Sequence, residues 1–124
     1  MKTLIDHLAF RVSNIDATGD ILKQLGYVEV RRTDHHGGAL ELENPAQPGI
    51  ILELTTIGKK KNSDEMEVPG FDHCCFSLTE EDLKTLVADG FPTAGKPKLN
   101  TQSGRMCESF KDTDGTKWQF VLKD

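Results

Sequence analysis

The stretch that decides the fold is IDHLAFRV, residues 5–12, because a related stretch, FDHCCFSL, occupies residues 71–78. The offset between the two is 66 residues (71 − 5), and at the same offset Glu53 aligns with Gln119 and a glycine with a glycine. Self-similarity over half of the chain is typical of a duplicated supersecondary unit. We therefore expect two units that bury their apolar faces against each other, because one alone has too little core.

The first repeat begins with a predicted strand and a predicted helix. Residues 4–12 alternate between two faces, one apolar and the other carrying His7 and Arg11, which is the two-residue period of a strand. Asn14 or Asp16 can cap the helix that follows. A glycine after the apolar helical positions supplies the left-handed residue that ends many helices.

The second repeat has the same order of elements. Thr79 with Asp82 forms a capping-box-like helix start, and Gly90 ends that helix. Three extended segments follow each helix: 27–32, 39–42 and 50–56, then 91–94, 105–110 and 117–122. Each repeat therefore predicts a βαβββ unit, and the chain an α+β fold of one domain over residues 1–124. Module one spans 1–57, a charged linker 58–70, and module two 71–124.

Length and charge restrict the kinds of partner. The chain has 124 residues and a formal net charge of −5, which fits a single domain and argues against nucleic acid or an anionic membrane as a partner. There is no apolar run of the roughly 18 residues that a spanning helix needs. The three cysteines show no zinc or disulfide spacing, and Cys75 is interpreted as a packing residue. These features predict a cytoplasmic protein that binds a small molecule.

Four polar residues carry the chemistry, and the repeat relates them in pairs. His7 corresponds to His73, and Glu53 corresponds to Gln119. Glu53 interrupts the apolar run IILEL (50–54), where an ionised carboxylate is costly unless a cation or a donor meets it. Two imidazoles, a carboxylate and an amide oxygen suit a divalent transition metal such as Zn, Ni, Co, Fe or Mn.

The segment FKDTDGTKWQ (110–119) resembles the F-x-D-P-D-G-x-x-x-E motif of the vicinal oxygen chelate superfamily, which contains glyoxalase I, bleomycin-resistance proteins and extradiol dioxygenases. The two Asp-His strands add to the resemblance, which covers nearly the whole chain. It implies two paired βαβββ modules whose curved sheets form an open barrel, and a homodimer. It also implies four metal ligands: His7, Glu53, His73 and Gln119.

The resemblance further implies a glyoxalase I-like lyase or isomerase. Such an enzyme abstracts a proton next to a carbonyl and stabilises an enediolate on the metal. Glu53 would accept and return the proton, and Arg11 would hold an anionic end of the substrate. Ile57 and Pro69 stand where glyoxalase I has an asparagine and an arginine, so glutathione is not implied as the substrate.

Two other functions fit the same residues. His7, His73 and Glu53 also form a two-histidine, one-carboxylate set suited to Fe(II), as in a dioxygenase. A non-catalytic protein of the bleomycin-resistance type would instead bind a small molecule without metal. The neighbouring histidines in the segment HHGG (35–38) are interpreted as part of a turn, and the lysine run 59–61 as part of a solvated loop.

Overall fold

The structure, a computed structural model, describes residues 3–101 and 103–123. Two α-helices and an eight-stranded sheet lie within these residues. The first half contains β1 (Leu4–Val12), α1 (Ile15–Lys23), β2 (Val28–Thr33), β3 (Ala39–Glu43) and β4 (Ile51–Thr56). The second half contains β5 (Gly70–Leu78), α2 (Glu80–Ala88), β6 (Lys98–Asn100), β7 (Arg105–Lys111) and β8 (Lys117–Leu122). The order βαβββ occurs twice, so the predicted α+β class is confirmed.

The strand order in the sheet is β2-β3-β4-β1-β5-β8-β7-β6. In each half the first strand pairs in parallel with the last, and the remaining pairings are antiparallel. The chain divides into two compact units, one from His7 to Asp72 and the other comprising the residues up to Asp6 and from His73 onward. The predicted module boundaries stay predictions. Within the described residues, neither helix is long and apolar enough to cross a membrane.

The unit from His7 to Asp72 packs its helix against one face of its strands. Leu40, Leu42 and Leu54 are at most 2% exposed and form the centre of this core. Phe10 from β1 and Leu22 from α1 pack against them. The face of β1 that carries Phe10 is therefore the apolar one, and His7 belongs to the opposite face, because successive strand residues point to opposite sides.

The other unit has a core of the same design. Leu78, Leu83 and Phe120 are buried at its centre. Leu83 lies on α2 and Phe120 on β8, so the helix covers the apolar side of the sheet here as well. Leu122, two residues further along β8, packs against the same core. Gln119, next to Phe120 in this strand, consequently belongs to the face away from the helix.

Both helices begin at capping residues that the sequence predicts. The Asn14 side chain accepts a hydrogen bond from the Ala17 backbone N–H at 3.0 Å. Thr79 Oγ1 accepts one from the Asp82 backbone N–H at 3.1 Å. Gly90, which follows the C-cap residue of α2, has a φ of 82°, a left-handed conformation that glycine adopts without steric cost. Asn14 rather than Asp16 is thus the cap of α1.

Replacing Thr79 with alanine is expected to destabilise the protein by about 1 kcal/mol, because the first turn of α2 loses its side-chain acceptor. Thr79→Ser keeps the hydroxyl oxygen and should stay close to the wild-type value. Urea unfolding of the two variants checks this expectation. Equal unfolding midpoints for the alanine and serine variants would contradict a capping role.

One predicted strand is wrong. Residues 91–94 do not form a strand, and the second half of the chain instead has the short strand β6 (Lys98–Asn100). The Phe91 ring packs against those of Phe110 and Phe120, with centroids 5.0 and 5.8 Å apart. Pro92 follows and has no N–H to donate to a strand partner. Packing of the partly buried Phe91 against the core therefore outweighs the extended tendency of this segment.

Candidate metal centre

His7 and Glu53 lie on the same face of the unit from His7 to Asp72. In the parallel pairing of β1 with β4, Ala9 is opposite Glu53. His7 precedes Ala9 by two residues and therefore points to the same side as Ala9 and Glu53. A ring nitrogen of His7 and a carboxylate oxygen of Glu53 lie within 4.8 Å of each other. One ion can bind both atoms after a small side-chain adjustment, since two metal–ligand bonds of about 2 Å reach across at most about 4 Å.

The other unit repeats this arrangement. In the parallel pairing of β5 with β8, Cys75 is opposite Gln119. His73 precedes Cys75 by two residues and shares its face. The pairing of Cys75 with Gln119 is the repeat equivalent of the pairing of Ala9 with Glu53, so the sequence offset also describes the register of the strands. His73 is buried, with 7% of its surface exposed.

Two groups of described side chains have donor atoms that could hold a metal ion. One group contains His7, Glu53 and His73, and the other contains Asp6, His7 and Cys75. The first group offers two imidazole nitrogens and a carboxylate, the donors that suit a divalent transition metal. The structure therefore has a ligand group of the predicted chemistry. The fourth ligand, Gln119, stays a prediction.

The second group is less suited to an ion because two of its members are otherwise engaged. Arg105 donates to both carboxylate oxygens of Asp6, at 2.6 and 3.1 Å. Burial raises the pKa of the Cys75 thiol, and the charge of Asp6 raises it further. A thiol that stays protonated is neither a good ligand nor a nucleophile. The interpretation of Cys75 as a packing residue agrees with these contacts.

Glu53 also faces a second carboxylate, which the sequence analysis missed. Glu41 on β3 is directly opposite Glu53 on β4. Like charges in this position destabilise a sheet, because the Cβ atoms are only about 5 Å apart. On its other side Glu41 pairs with Arg31, whose Nε lies 3.2 Å from Glu41 Oε2. A cation at Glu53 would compensate the remaining negative charge, so the residues present fit a bound metal.

The motif that carries the family resemblance shapes the turn before β8. The Asp112 carboxylate accepts hydrogen bonds from the backbone N–H groups of Asp114 and Thr116, at 2.9 and 3.0 Å. It also accepts one from Trp118 Nε1 at 2.9 Å. This last bond and the two backbone bonds lower the pKa of Asp112. The motif thus fixes the entry into the strand that carries Gln119.

Arg11 lies on the same face as His7, as predicted, but two carboxylates of the protein already surround it. Its Nη1 lies 2.7 Å from Asp72 Oδ1, and its Nε lies 2.9 Å from Glu67 Oε2. The guanidinium charge is therefore compensated inside the protein. Binding of an anionic substrate end by Arg11 stays a prediction, and the structure gives the residue a second role in holding the linker.

Glu67 attaches the linker to the rest of its unit. Its Oε1 accepts a hydrogen bond from the Gly58 backbone N–H at 2.9 Å and lies 2.9 Å from His36 Nε2. His36 belongs to the predicted turn, which forms a short 3₁₀ segment. The hydrogen bond with His36 lowers the pKa of Glu67; the Gly58 N–H and the Arg11 charge add to this, while burial opposes it.

This lowered pKa predicts a pH dependence of stability. A carboxyl whose pKa is lower in the folded state stabilises the protein above its unfolded pKa, and the contribution disappears as the pH falls through the folded pKa. Glu67→Gln should therefore be less stable than wild type near neutral pH, and the difference should shrink under acid conditions. Thermal unfolding of both proteins between about pH 3 and pH 7 tests this. A difference that is constant over this range would contradict the ion-paired state of Glu67.

The βαβββ order that occurs twice, with possible metal-ligand side chains on the strand face away from the helices, defines a class of duplicated α+β proteins. The model of the Glyoxalase/Bleomycin resistance protein/Dioxygenase superfamily matches residues 4–120. The chain belongs to this superfamily, as the sequence resemblance indicated.

Solved structures show the same fold. A hypothetical protein, BH1468 from Bacillus halodurans C-125, superposes with a TM-score of 0.74 at 16% identity, covering 100% of this chain and 96% of that one. Methylmalonyl-CoA epimerase from Mycobacterium tuberculosis gives 0.70 at 17% identity, with 97% and 87% covered. A variant of homoprotocatechuate 2,3-dioxygenase from B. fuscum gives 0.62 at 16% identity, with 97% of this chain and 33% of that chain covered. A comparison with curated proteins finds none that matches.

Proposed function

We propose that this protein is a metal-dependent enzyme that moves a proton on the carbon next to a carbonyl group. The observation that carries the proposal is the pair of His7 and Glu53 on one face of their unit, with donor atoms within 4.8 Å of each other; His73 has the repeat-equivalent place in the other unit. A metal-dependent isomerase, epimerase or lyase is in keeping with the superfamily. Within these types, glyoxalase I-like chemistry on a small α-hydroxycarbonyl or α-ketoaldehyde-derived substrate is the specific activity proposed.

Four residues would hold the metal: His7, Glu53, His73 and, as a neutral fourth ligand, Gln119. A bound divalent cation is a Lewis acid that polarises neighbouring carbonyl oxygens and stabilises negative charge on them. With a single carboxylate among these four residues, the cation would keep a net positive charge. This suits a substrate that becomes more negative as its proton is removed.

Glu53 is the residue proposed to move the proton. A carboxylate oxygen of Glu53 would accept the proton from the substrate carbon and return it to the same or the neighbouring carbon. Return to the neighbouring carbon gives an isomerase, and return to the opposite side of the same carbon gives an epimerase.

The substrate proposal follows from the charges around Arg11. Because Glu67 and Asp72 already compensate this guanidinium, the residue has little positive charge to offer a carboxylate of glutathione. A substrate without a glutathione moiety is therefore proposed, and the folds of the epimerases make an acyl thioester a second substrate class to test. We also propose that the protein acts in the cytoplasm as a homodimer; light scattering of the purified protein tests its oligomeric state.

Hydrogen exchange at the substrate carbon tests the reaction type directly. Protein loaded separately with Zn, Ni, Co, Mn or Fe(II) is incubated in deuterated buffer with an α-hydroxyketone, a methylglyoxal–glutathione adduct or a branched acyl thioester, and incorporation of deuterium is followed by NMR. We expect metal-dependent exchange that Glu53→Gln abolishes.

Other outcomes would point to the alternative functions. Oxygen uptake with a catechol by the Fe(II) protein, without exchange, would replace the proposal by a dioxygenase, which the two-histidine, one-carboxylate group also allows. Protein that binds none of these metals, as elemental analysis of an untagged preparation would reveal, would replace it by a metal-free binding protein.

A further inference from the structure

Three charged side chains on adjacent strands form a row of one cation and two carboxylates, here called the charge row. Its members are Arg31 on β2, Glu41 on β3 and Glu53 on β4. Arg31 is directly opposite Glu41, and Glu41 is directly opposite Glu53. The Arg31 and Glu41 side chains are 43% and 20% exposed and lie 3.2 Å apart at Nε and Oε2. The row therefore runs from a half-exposed cation to the candidate metal ligand.

We propose that Arg31 is a positioning residue that limits the affinity of the Glu53 site for cations. By pairing with Glu41, Arg31 holds this second carboxylate beside β2 and cancels its charge. A cation at Glu53 then meets the negative charge of one carboxylate instead of two. This inference rests on the proposed function, since it assumes that a metal binds at Glu53.

The geometry predicts that removal of Arg31 increases the affinity of the site for a divalent cation. Without Arg31, the Glu41 carboxylate would have its full charge directly opposite Glu53, at the short spacing of cross-strand pairs. An extra unit of negative charge at this spacing attracts a divalent cation even where the surroundings are partly solvated. Two other charged side chains on the same face already have partners. Glu43 Oε2 accepts a hydrogen bond from the Gly49 backbone N–H at 3.3 Å, and Arg11 forms ion pairs with Glu67 and Asp72.

The test compares Arg31→Met with the matched control Arg32→Met in titrations of metal-free protein with Co²⁺, followed by absorption spectroscopy. Arg32 is the next residue of the same strand but points to the other face, where it pairs with Asp16 at 2.6 Å and Glu29 at 3.0 Å. Arg31→Met should bind Co²⁺ about three- to tenfold more tightly than wild type at low salt, with a smaller gain at high salt. Arg32→Met should bind as wild type does.

Glu41→Gln completes the test because it changes the charge in the opposite direction. This variant should weaken Co²⁺ binding, since it removes a negative charge and leaves Arg31 without its partner. The double variant Arg31→Met, Glu41→Gln removes a neutral pair and should bind close to the wild-type affinity. The two single variants should shift the Co²⁺ affinity in opposite directions, while the double variant stays close to wild type. This result would indicate a charge pair and not a general loss of structure.

Failure of this inference is separable from failure of the proposed function. Wild-type protein that binds no Co²⁺ would overturn both. Wild-type protein that binds Co²⁺, together with an Arg31→Met variant of unchanged or weaker affinity and wild-type unfolding temperature, would overturn the role of Arg31 alone. An equal gain in Arg32→Met would also overturn it, because the effect would then depend on the overall charge and not on the charge row.

Discussion

His7→Ala is expected to lose the bound metal and, with it, deuterium exchange at the substrate carbon. Removing one of the two imidazoles leaves Glu53 and His73 as the described side chains of the ligand group. Loss of an outer partner of a metal ligand already costs 10–100-fold in affinity, and loss of a ligand itself should cost roughly 100-fold or more. Elemental analysis after dialysis and a Co²⁺ titration measure the change.

His35→Ala serves as the control for this prediction. His35 lies in the turn between β2 and β3 rather than in the ligand group, so this variant should keep its metal. His73→Ala should behave as His7→Ala does, because the repeat gives the two histidines equivalent places on β1 and β5. A His7→Ala protein that keeps a full equivalent of metal at wild-type affinity would show that the donor group is not the binding site.

Leu40→Ala is expected to produce the largest loss of stability, about 2–5 kcal/mol. Leu40 is fully buried in the core of its unit. Its Cδ2 atom also lies only 2.7 Å from the position that a Cβ on Gly19 would occupy. The leucine thus fills space against the backbone of α1, and its truncation leaves a cavity between the helix and β3.

Urea unfolding with fitted midpoints and slopes measures this loss. Leu99→Ala is the control, because Leu99 is 59% exposed and a surface change of this kind is usually within about 0.5 kcal/mol. Gly19→Ala in the Leu40→Ala background should cost less than in the wild-type background, since the cavity admits the new methyl group. A loss below about 1 kcal/mol for Leu40→Ala would contradict the tight packing of α1 on β3.

The structure confirms the local predictions where short-range patterns decide the outcome. The alternation of residues 4–12 corresponds to β1, and Thr79 caps α2 through its own hydroxyl. Such features depend on residues a few positions apart, which the sequence displays directly. The segment 91–94 shows the limit of this reasoning: Phe91 packs against β7 and β8, and no local pattern contains that contact.

The candidate ligands were predictable because the duplication places them at equal offsets. His7 and His73, like Glu53 and Gln119, correspond through the repeat, and the register of both parallel strand pairs preserves this relation. Glu41 had a weaker signal in the sequence. The alternation of ALELE (39–43) places Glu41 on one face, but only the pairing of β3 with β4 brings it opposite Glu53.

The sequence by itself determined the order of elements in the two βαβββ repeats, the apolar face of β1 and the four residues that the repeat relates. These follow from periods of two and about four residues and from an internal alignment, all of which are properties of the linear chain. The tertiary structure alone decided which charges meet: Arg11 with Glu67 and Asp72, and Arg31 with Glu41. Ion pairs depend on distances between side chains that are remote in sequence, and only the strand register and the path of the linker set those distances.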